Sequence, residues 1–409
     1  MFNPIIAWAL GWLISGLSLF LPMGRWVPQG ERTQSLFNRY TITYTAEAPL
    51  AGELRYSVGS CEKTEKFYLE PASEPTKFTS FIDGFLDGRL GRDFQEVGWT
   101  ELNFSACAFD IEDITLDWVQ PPKNTYIELE DAFCRVGANL RWGGALDSFV
   151  WKAAPAGYGN LFNRHDAGRL VQQSYYGTSD PPYVMGNFMD TPWPYNPVQG
   201  GDVQENCSKL VDYELRGNQI YVKCLPLEWG KNNVPSLSYM ENTYTLQDGV
   251  LTVDNRFVDF SGYTHEKRHQ EMPAFYVVSA LGTFSYYNGG APWTNAPLTQ
   301  ASGLPFWGEA GHPECYITLE AGNTETWCAW TAGAQPEAFG VGLFNPEAEI
   351  LLAGRFGDNV SKSAEDASTC YVAPLRTLLL ESFVPLEYSY YITAGSLAEI
   401  REAWRAICE

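Results

Sequence analysis

Between residues 39 and 119, apolar and polar side chains alternate in short runs. TITYTAE, GELRYSVG, EKFYLEP, KFTSFID, TELNFSACAF and ITLDWVQ follow one another, separated by Gly, Pro and Ser. An extended strand points successive side chains to opposite faces, so a period of two predicts half-buried β-strands. The separating residues are those that turns require. A β-sandwich over residues 36–120 is expected. Pro121-Pro122-Lys123-Asn124 is a stiff polar break and predicts a domain boundary. The same short-strand pattern resumes at Thr125 and runs to Thr393, so residues 125–409 read as a larger antiparallel β domain. No strand–helix alternation appears, which excludes a doubly wound parallel sheet. Only the end of the chain changes period. Ser396 and Glu399 have capping-box spacing, and Leu397, Ile400, Trp404 and Ile407 recur at helical intervals. The expected fold class is all-β with one short C-terminal helix.

Ile5 to Phe20 is uncharged and nearly all apolar, and Leu21, Pro22 and Met23 extend it. Residues 1–24 therefore read as a signal peptide or N-terminal anchor, with residues 5–23 the possible membrane segment. The expected location is secreted or cell-surface anchored. No Lys or Arg precedes the run, Arg25 follows it, and no small-x-small cleavage site is evident. Lys plus Arg number 27 against 49 Asp plus Glu, a net charge of −22. That balance argues against nucleic acid as a partner. The nine cysteines form no C-x-x-C pairs, so neither a zinc ribbon nor any other metal or cofactor site is expected. Cys61 with Cys107, Cys207 with Cys224, and Cys315 with Cys328 sit where hairpins could bridge them. The odd count leaves at least one free thiol.

Aromatic residues reach 15% of the chain, with 14 Trp and 23 Tyr. Their faces stack on the C–H faces of sugar rings, as well as filling cores. The densest polar segment is Asn160 to Gly177, NLFNRHDAGRLVQQSYYG. Arg169, Gln172, Gln173, Tyr175 and Tyr176 offer the donors and acceptors that hold sugar hydroxyls. His165 and Asp166 offer proton transfer. A second cluster, GYTHEKRHQEMPAFYV, places Glu271 at the entry of a strand, where a carboxylate can be held rigidly. It also carries His265, Glu266 and His269. Their spacing is one residue longer than the H-E-x-x-H zinc motif and does not lie in a helical context. Asp202, Glu228, Glu241, Asp254 and Asp259 are further carboxylates. Trp193 and Trp293 stand in Pro/Gly-rich loops as candidate sugar platforms.

YIELEDAFCRVGANLRWGGALDSFVW, followed by GNLFNRHDAGRLVQQSYYG, resembles the opening of the galactose-mutarotase-like β-supersandwich, with Trp142-Gly143-Gly144 as its Gly-rich turn. The segment also resembles exported bacterial proteins with the same Asn-x-His-Asp-x-Gly-Arg-x-x-Gln-Gln run. The resemblance covers Thr125 to Thr393. It implies carbohydrate chemistry without choosing the reaction. The N-terminal sandwich itself resembles an accessory module of the carbohydrate-binding sort. The epimerase motifs around the catalytic histidines are not recognisable. The sequence thus points to an exported glycoside hydrolase with Glu271 and Asp166 as acid and base, tuned by His165. Arg169, Gln172, Gln173, Tyr175, Tyr176, His269, Trp193 and Trp293 would hold the carbohydrate. Two alternatives use the same segments. One is a polysaccharide lyase with Tyr175, Tyr176, His165 and Arg169; the other is a glycan-binding surface protein without turnover.

Overall fold

A computed structural model describes residues 24–26, 37–87, 97–104, 109–308, 312–320 and 324–409. The apolar run at 5–23 and Cys107 lie outside the described residues. Among those residues, no helix is long and apolar enough to cross a membrane.

The chain is all-β, as its alternation predicts, and two antiparallel sheets dominate residues beyond 170. The seven-stranded sheet runs Leu227–Glu228, Pro197–Val198, Gln172–Ser174, Lys267–Val278, Thr369–Leu379, Ile350–Phe356, Tyr316–Thr318. The nine-stranded sheet is centred on Val250–Asp259, Leu386–Ser396 and Phe339–Phe344. Met272, Phe275, Val277 and Val372 of the first sheet share one core with Tyr244, Val253, Val341 and Ile392 of the second. Trp142-Gly143-Gly144 turns tightly beside this core. Gly143 and Gly144 have φ of 60° and 77°, and a Cβ on Gly143 would stand 2.4 Å from the Gln199 carbonyl. Only glycine takes that conformation at that distance without strain.

The strands between Arg39 and Asp117 form two smaller sheets. Their cluster around Tyr40, Ile42, Leu54, Phe67 and Phe78 is completed by Val211, Leu225, Tyr239, Val258 and Phe260 of the larger region. An ion pair reinforces the junction: Arg256 reaches Glu70 at 2.7 Å, and is held on its own side by Glu241 at 3.0 Å and Glu387 at 3.1 Å.

The C-terminal helix spans Leu397–Cys408 and begins with the expected capping box between Ser396 and Glu399. Leu397, Ile400 and Trp404 are buried, whereas Ile407 is exposed. The helix also buries Arg401, whose Nε and Nη2 donate to Glu325 at 2.9 and 2.5 Å.

Two expected disulfides do not form. Cys224, Cys315 and Cys328 are buried, unbridged thiols. Cys315 packs with Tyr371 and Leu375, while Cys328 belongs to the main core with residues of the nine-stranded sheet. The short hairpin anticipated between Cys315 and Cys328 is instead a crossing between the two sheets, because Tyr316–Thr318 and Glu325–Thr331 pair with different neighbours.

Candidate functional site

The site is built where Lys267–Val278 pairs with strands on both sides. Ser174 lies opposite Glu271, and Glu271 opposite Leu375. Further along, Tyr276 lies opposite Tyr371. Between Glu271 and Phe275 this strand carries one more residue than Leu375 to Val372 opposite it, a β-bulge. Side-chain direction alternates with every residue, so the extra one inverts the phase. Without it, Glu271 would share a side with the core residues Phe275 and Val277. With it, Glu271 joins Tyr276, Tyr371, Ala274 and Ala373 on the outer face of the sheet.

Three tyrosines and an indole enclose that position. Tyr371 donates its hydroxyl to Glu271 Oε1 at 2.6 Å, and the Ser174 and Tyr176 side chains lie near enough to favour the charged carboxyl. Tyr276 lies 4.7 Å from Tyr371 between ring centres. Trp307 stacks on Tyr371 at 4.3 Å and stands edge-on to Tyr276. Ala274 and Ala373 pack between them in the same small buried cluster. Glu271 forms no ion pair with Lys, Arg or His among the described residues. Burial pushes its pKa above the usual carboxylate range, and the Tyr371, Ser174 and Tyr176 hydroxyls only partly offset this. The carboxyl in turn pushes Tyr371 and Tyr176, already raised by burial, further up.

Tyr176 is fixed by Gln270, whose Oε1 accepts the Tyr176 N–H at 2.7 Å while its Nε2 donates to the Tyr176 carbonyl at 2.9 Å. Trp193 stands edge-on to Tyr176 at 6.4 Å and donates its indole N–H to Asn196. On the other side, Asp166 pairs with Arg169 at 3.2 Å and caps its own turn through the Gly168 N–H. Arg169 also donates to the Ala367 carbonyl and covers the Phe356 ring at 4.8 Å. The Tyr276 hydroxyl lies in the field of Glu271, Asp166 and Arg169 together. His165 is exposed beside this loop, its Nδ1 2.9 Å from the Glu365 carbonyl. His269 is exposed two residues from Glu271, hence on the same face, and bonds Thr377 at 3.1 Å.

Tyr176 and His269 thus lie beside Glu271, Trp193 packs on Tyr176, and Asp166 and Arg169 approach the same Tyr276 hydroxyl from their loop, whereas His165 is exposed on that loop against Glu365. The structure corrects four other expectations. Gln172 is buried, donating to the Ala167 carbonyl and accepting the Gly200 N–H. Gln173 is fully buried between the Glu241 carbonyl and the Tyr175 hydroxyl. Tyr175 packs on Phe257 inside the core. Trp293 packs with Phe344 against the C-terminal helix, on the nine-stranded sheet. None of these four presents a surface to a ligand at Glu271. Ser174, Gln270, Tyr276, Tyr371 and Trp307 were not anticipated. Tyr276 sits within a run already read as a strand, but nothing local marks its face.

The other carboxylates have internal partners. Asp202 caps the turn at 204–206 and binds the Asn233 N–H. Glu228 accepts from Tyr183, Glu241 pairs with Lys223 and Arg256, and Asp254 accepts from Ser389. His265 is buried against Tyr195, accepting the Thr178 N–H and facing Asp259 at 3.3 Å. Among the described residues, no group of three or more His, Cys, Asp or Glu is placed to hold a metal. A separate cleft of about 640 Å³ lies between the N-terminal sheets and the larger region, walled in part by the Glu65–Lys209 ion pair. It does not include Glu271.

No protein-family model matches the chain, and no curated protein matches its sequence. Solved structures with a similar fold include a galactose mutarotase-like protein from Lactobacillus casei, 12% identical with a TM-score of 0.37. The similarity covers 66% of this chain and 100% of that one. A GH36 α-galactosidase from Geobacillus stearothermophilus is 12% identical with a TM-score of 0.37, over 68% of this chain and 41% of that one. The galactosidase domain of an α-galactosidase–sucrose kinase is 8% identical with a TM-score of 0.39, over 68% and 41%.

Proposed function

We propose that this protein is a carbohydrate-active enzyme, a glycoside hydrolase in which Glu271 and Asp166 divide the acid and base work. The observation that carries the reading is Glu271: a half-buried carboxyl among aromatic rings, hydrogen-bonded by the Tyr371 hydroxyl and without a partner cation among the described residues. A carboxylate set among apolar rings without such a partner is costly, so it is uncommon where only sheet stability is served. Burial favours the protonated form, which suits a general acid. Glu271 would give its proton to the leaving glycosidic oxygen as the C–O bond breaks. Asp166, ion-paired with Arg169, would act as the second carboxylate, toward water or the sugar carbon. Tyr176, Tyr276, Trp193 and Trp307 supply ring faces and edges for a sugar, and Arg169 and His269 supply polar contacts at the rim.

The same geometry disfavours a tyrosine-based lyase. A base must lose its proton, and burial pushes both Tyr176 and Tyr371 well above the ordinary tyrosine value. The apolar run at 5–23 supports a secreted or surface-anchored location. Residues 36–120 would serve as an accessory module.

The test is a product screen. The chain from residue 25 onward is incubated with neutral and acidic glycans and followed by proton NMR. New reducing ends without unsaturated sugars are expected. Unsaturated ends would overturn the reading in favour of a lyase, and binding without turnover would overturn it in favour of a glycan-binding protein.

A further inference from the structure

We infer that the cleft between the N-terminal sheets and the larger region is a second binding site, for a sugar acid whose carboxylate meets Arg141 and Lys231. The inference goes beyond the reading of Glu271 and does not depend on it. The cleft holds about 640 Å³. Small-molecule sites span about 300–1,000 Å³ and favour junctions of this kind. The strand Cys61–Leu69 and residues 82–86 form one wall. The turn at Arg141 and the segments 207–210 and 225–237 form the other.

Arg141 stands on a turn fixed from within. Asn139 Oδ1 accepts the Arg141 N–H at 3.1 Å, Gln199 donates to the Gly143 carbonyl at 3.1 Å, and Tyr244 donates to the Gly144 carbonyl at 2.9 Å. Yet Arg141 is exposed, and its guanidinium has neither an ion pair nor a hydrogen bond among the described residues. Arg164, Arg169, Arg256 and Arg401 all pair with carboxylates. The chain has 49 Asp and Glu against 27 Lys and Arg, so carboxylates are in excess. An arginine held in place without one is set for a carboxylate from outside.

Lys231 likewise forms no ion pair among the described residues. Its Nζ rests 3.9 Å from the centre of the Tyr183 ring, whose hydroxyl donates to Glu228 at 2.8 Å. Glu228 is buried, which favours its protonated form, and Lys231 partly offsets this. The other charges of the cleft cancel. Glu65 takes Lys209 at 2.5 Å, the Tyr56 hydroxyl and the Asp83 N–H. Lys66 and Asp83, both exposed on the N-terminal wall, balance in charge. Arg141 and Lys231 are left in excess over Glu228.

Asn233 and Tyr263 add the selectivity for a sugar. Asn233 has a left-handed φ of 53°, and Asp202 holds its N–H at 2.6 Å. Its exposed amide has no partner among the described residues. Tyr263 is half-buried in the same cleft. A guanidinium fits a planar carboxylate, an amide fits hydroxyls, and a ring face fits C–H groups. A bare anion would use neither the amide nor the ring.

Calorimetry with the full chain at low ionic strength tests this, using D-glucuronate and D-galacturonate against D-glucose and D-galactose. These monosaccharides have no glycosidic bond, so hydrolysis at Glu271 cannot consume them. At least one uronate is expected to bind about tenfold or more tightly than its neutral parent, through a charge-assisted contact. In Arg141→Gln that advantage should fall below about threefold, with an unchanged melting temperature. In Glu271→Gln it should persist within about twofold. Equal binding of acid and neutral sugars, binding of neither, or an advantage that survives Arg141→Gln/Lys231→Gln overturns the inference. Loss of the advantage in Glu271→Gln also overturns it, by placing the acid at Glu271. If acetate or inorganic phosphate binds as tightly as the uronate with the same dependence on Arg141, the cleft reads a bare anion and the sugar acid falls.

Discussion

Tyr371 donates its hydroxyl to Glu271 across paired strands, 100 residues apart in the chain. The bond exists because a bulge turns Glu271 to the face that Tyr371 occupies. It stabilises the charged form of a carboxyl that burial otherwise drives toward protonation. Tyr371→Phe removes that donor, so the Glu271 pKa should rise. If Glu271 acts as an acid, activity falls as pH rises through that pKa. The alkaline limb of kcat/KM should therefore move up by about one pH unit in the variant, the worth of one hydrogen bond to a charged group. A limb that stays in place would detach Glu271 from the profile.

Asp147 provides a pH test independent of catalysis. It is buried, accepts from Tyr126 and Asn139, and burial pushes its pKa up to about 7 despite the nearby Arg164. Its folded value lies above its unfolded value, so the folded state binds the proton more tightly. This contribution is complete below about pH 4 and is lost as pH rises to about 7, at up to about 1.4 kcal/mol per pH unit. Asp147→Asn should flatten that part of the stability curve, measured by urea unfolding at pH 5 and pH 8. An unchanged slope would contradict the assignment.

Glu325 anchors the C-terminal helix. It accepts from Arg401, from the Trp327 indole at 2.7 Å and from the Trp293 N–H at 2.7 Å. Glu325→Ala leaves Arg401 buried without its partner and should cost about 3–5 kcal/mol. Unfolding of Glu325→Ala, compared with the double variant Glu325→Ala/Arg401→Met, measures this. The double variant should recover part of the loss.

The N-terminal sheets share their core with the larger region. Removing residues up to 124 would expose Val211, Leu225, Tyr239, Val258 and Phe260, and take Glu70 from the three carboxylates around Arg256. Residues 125–409 alone are expected to be less stable and prone to association. Light scattering and thermal melting of that fragment check it; a monomer as stable as the longer chain would contradict it.

Much of the fold is legible in the sequence because alternation and capping are local. Thr41, Leu54 and Phe78 fall in runs that the structure extends into strands, and Ser396 caps the helix its spacing predicts. The site is less legible. Glu271 stands out at a strand entry, but its partners Ser174, Tyr371 and Trp307 arrive through strand pairing and ring packing far along the chain. Alternation alone would set Glu271 beside Phe275 and Val277, because a one-residue bulge has no period of its own. Gln172 and Gln173 show the converse. Their amides look available to a ligand, yet each is committed to buried polar groups that need partners, main-chain ones for Gln172 and a carbonyl and the Tyr175 hydroxyl for Gln173. Trp293 resembles a loop platform until its contact with Phe344 and its backbone bond to Glu325 place it beneath the helix.

The central claim is that Glu271 performs proton transfer on a bound sugar. The direct measurement is turnover by Glu271→Gln on a glycan that the unaltered chain cleaves, with binding of the same glycan measured in parallel. Glutamine keeps the shape and an acceptor for Tyr371 but has no proton to give. We predict a loss of about 10²-fold or more in kcat with binding retained within a few-fold, in line with the removal of a general acid. Full turnover by Glu271→Gln would contradict the account.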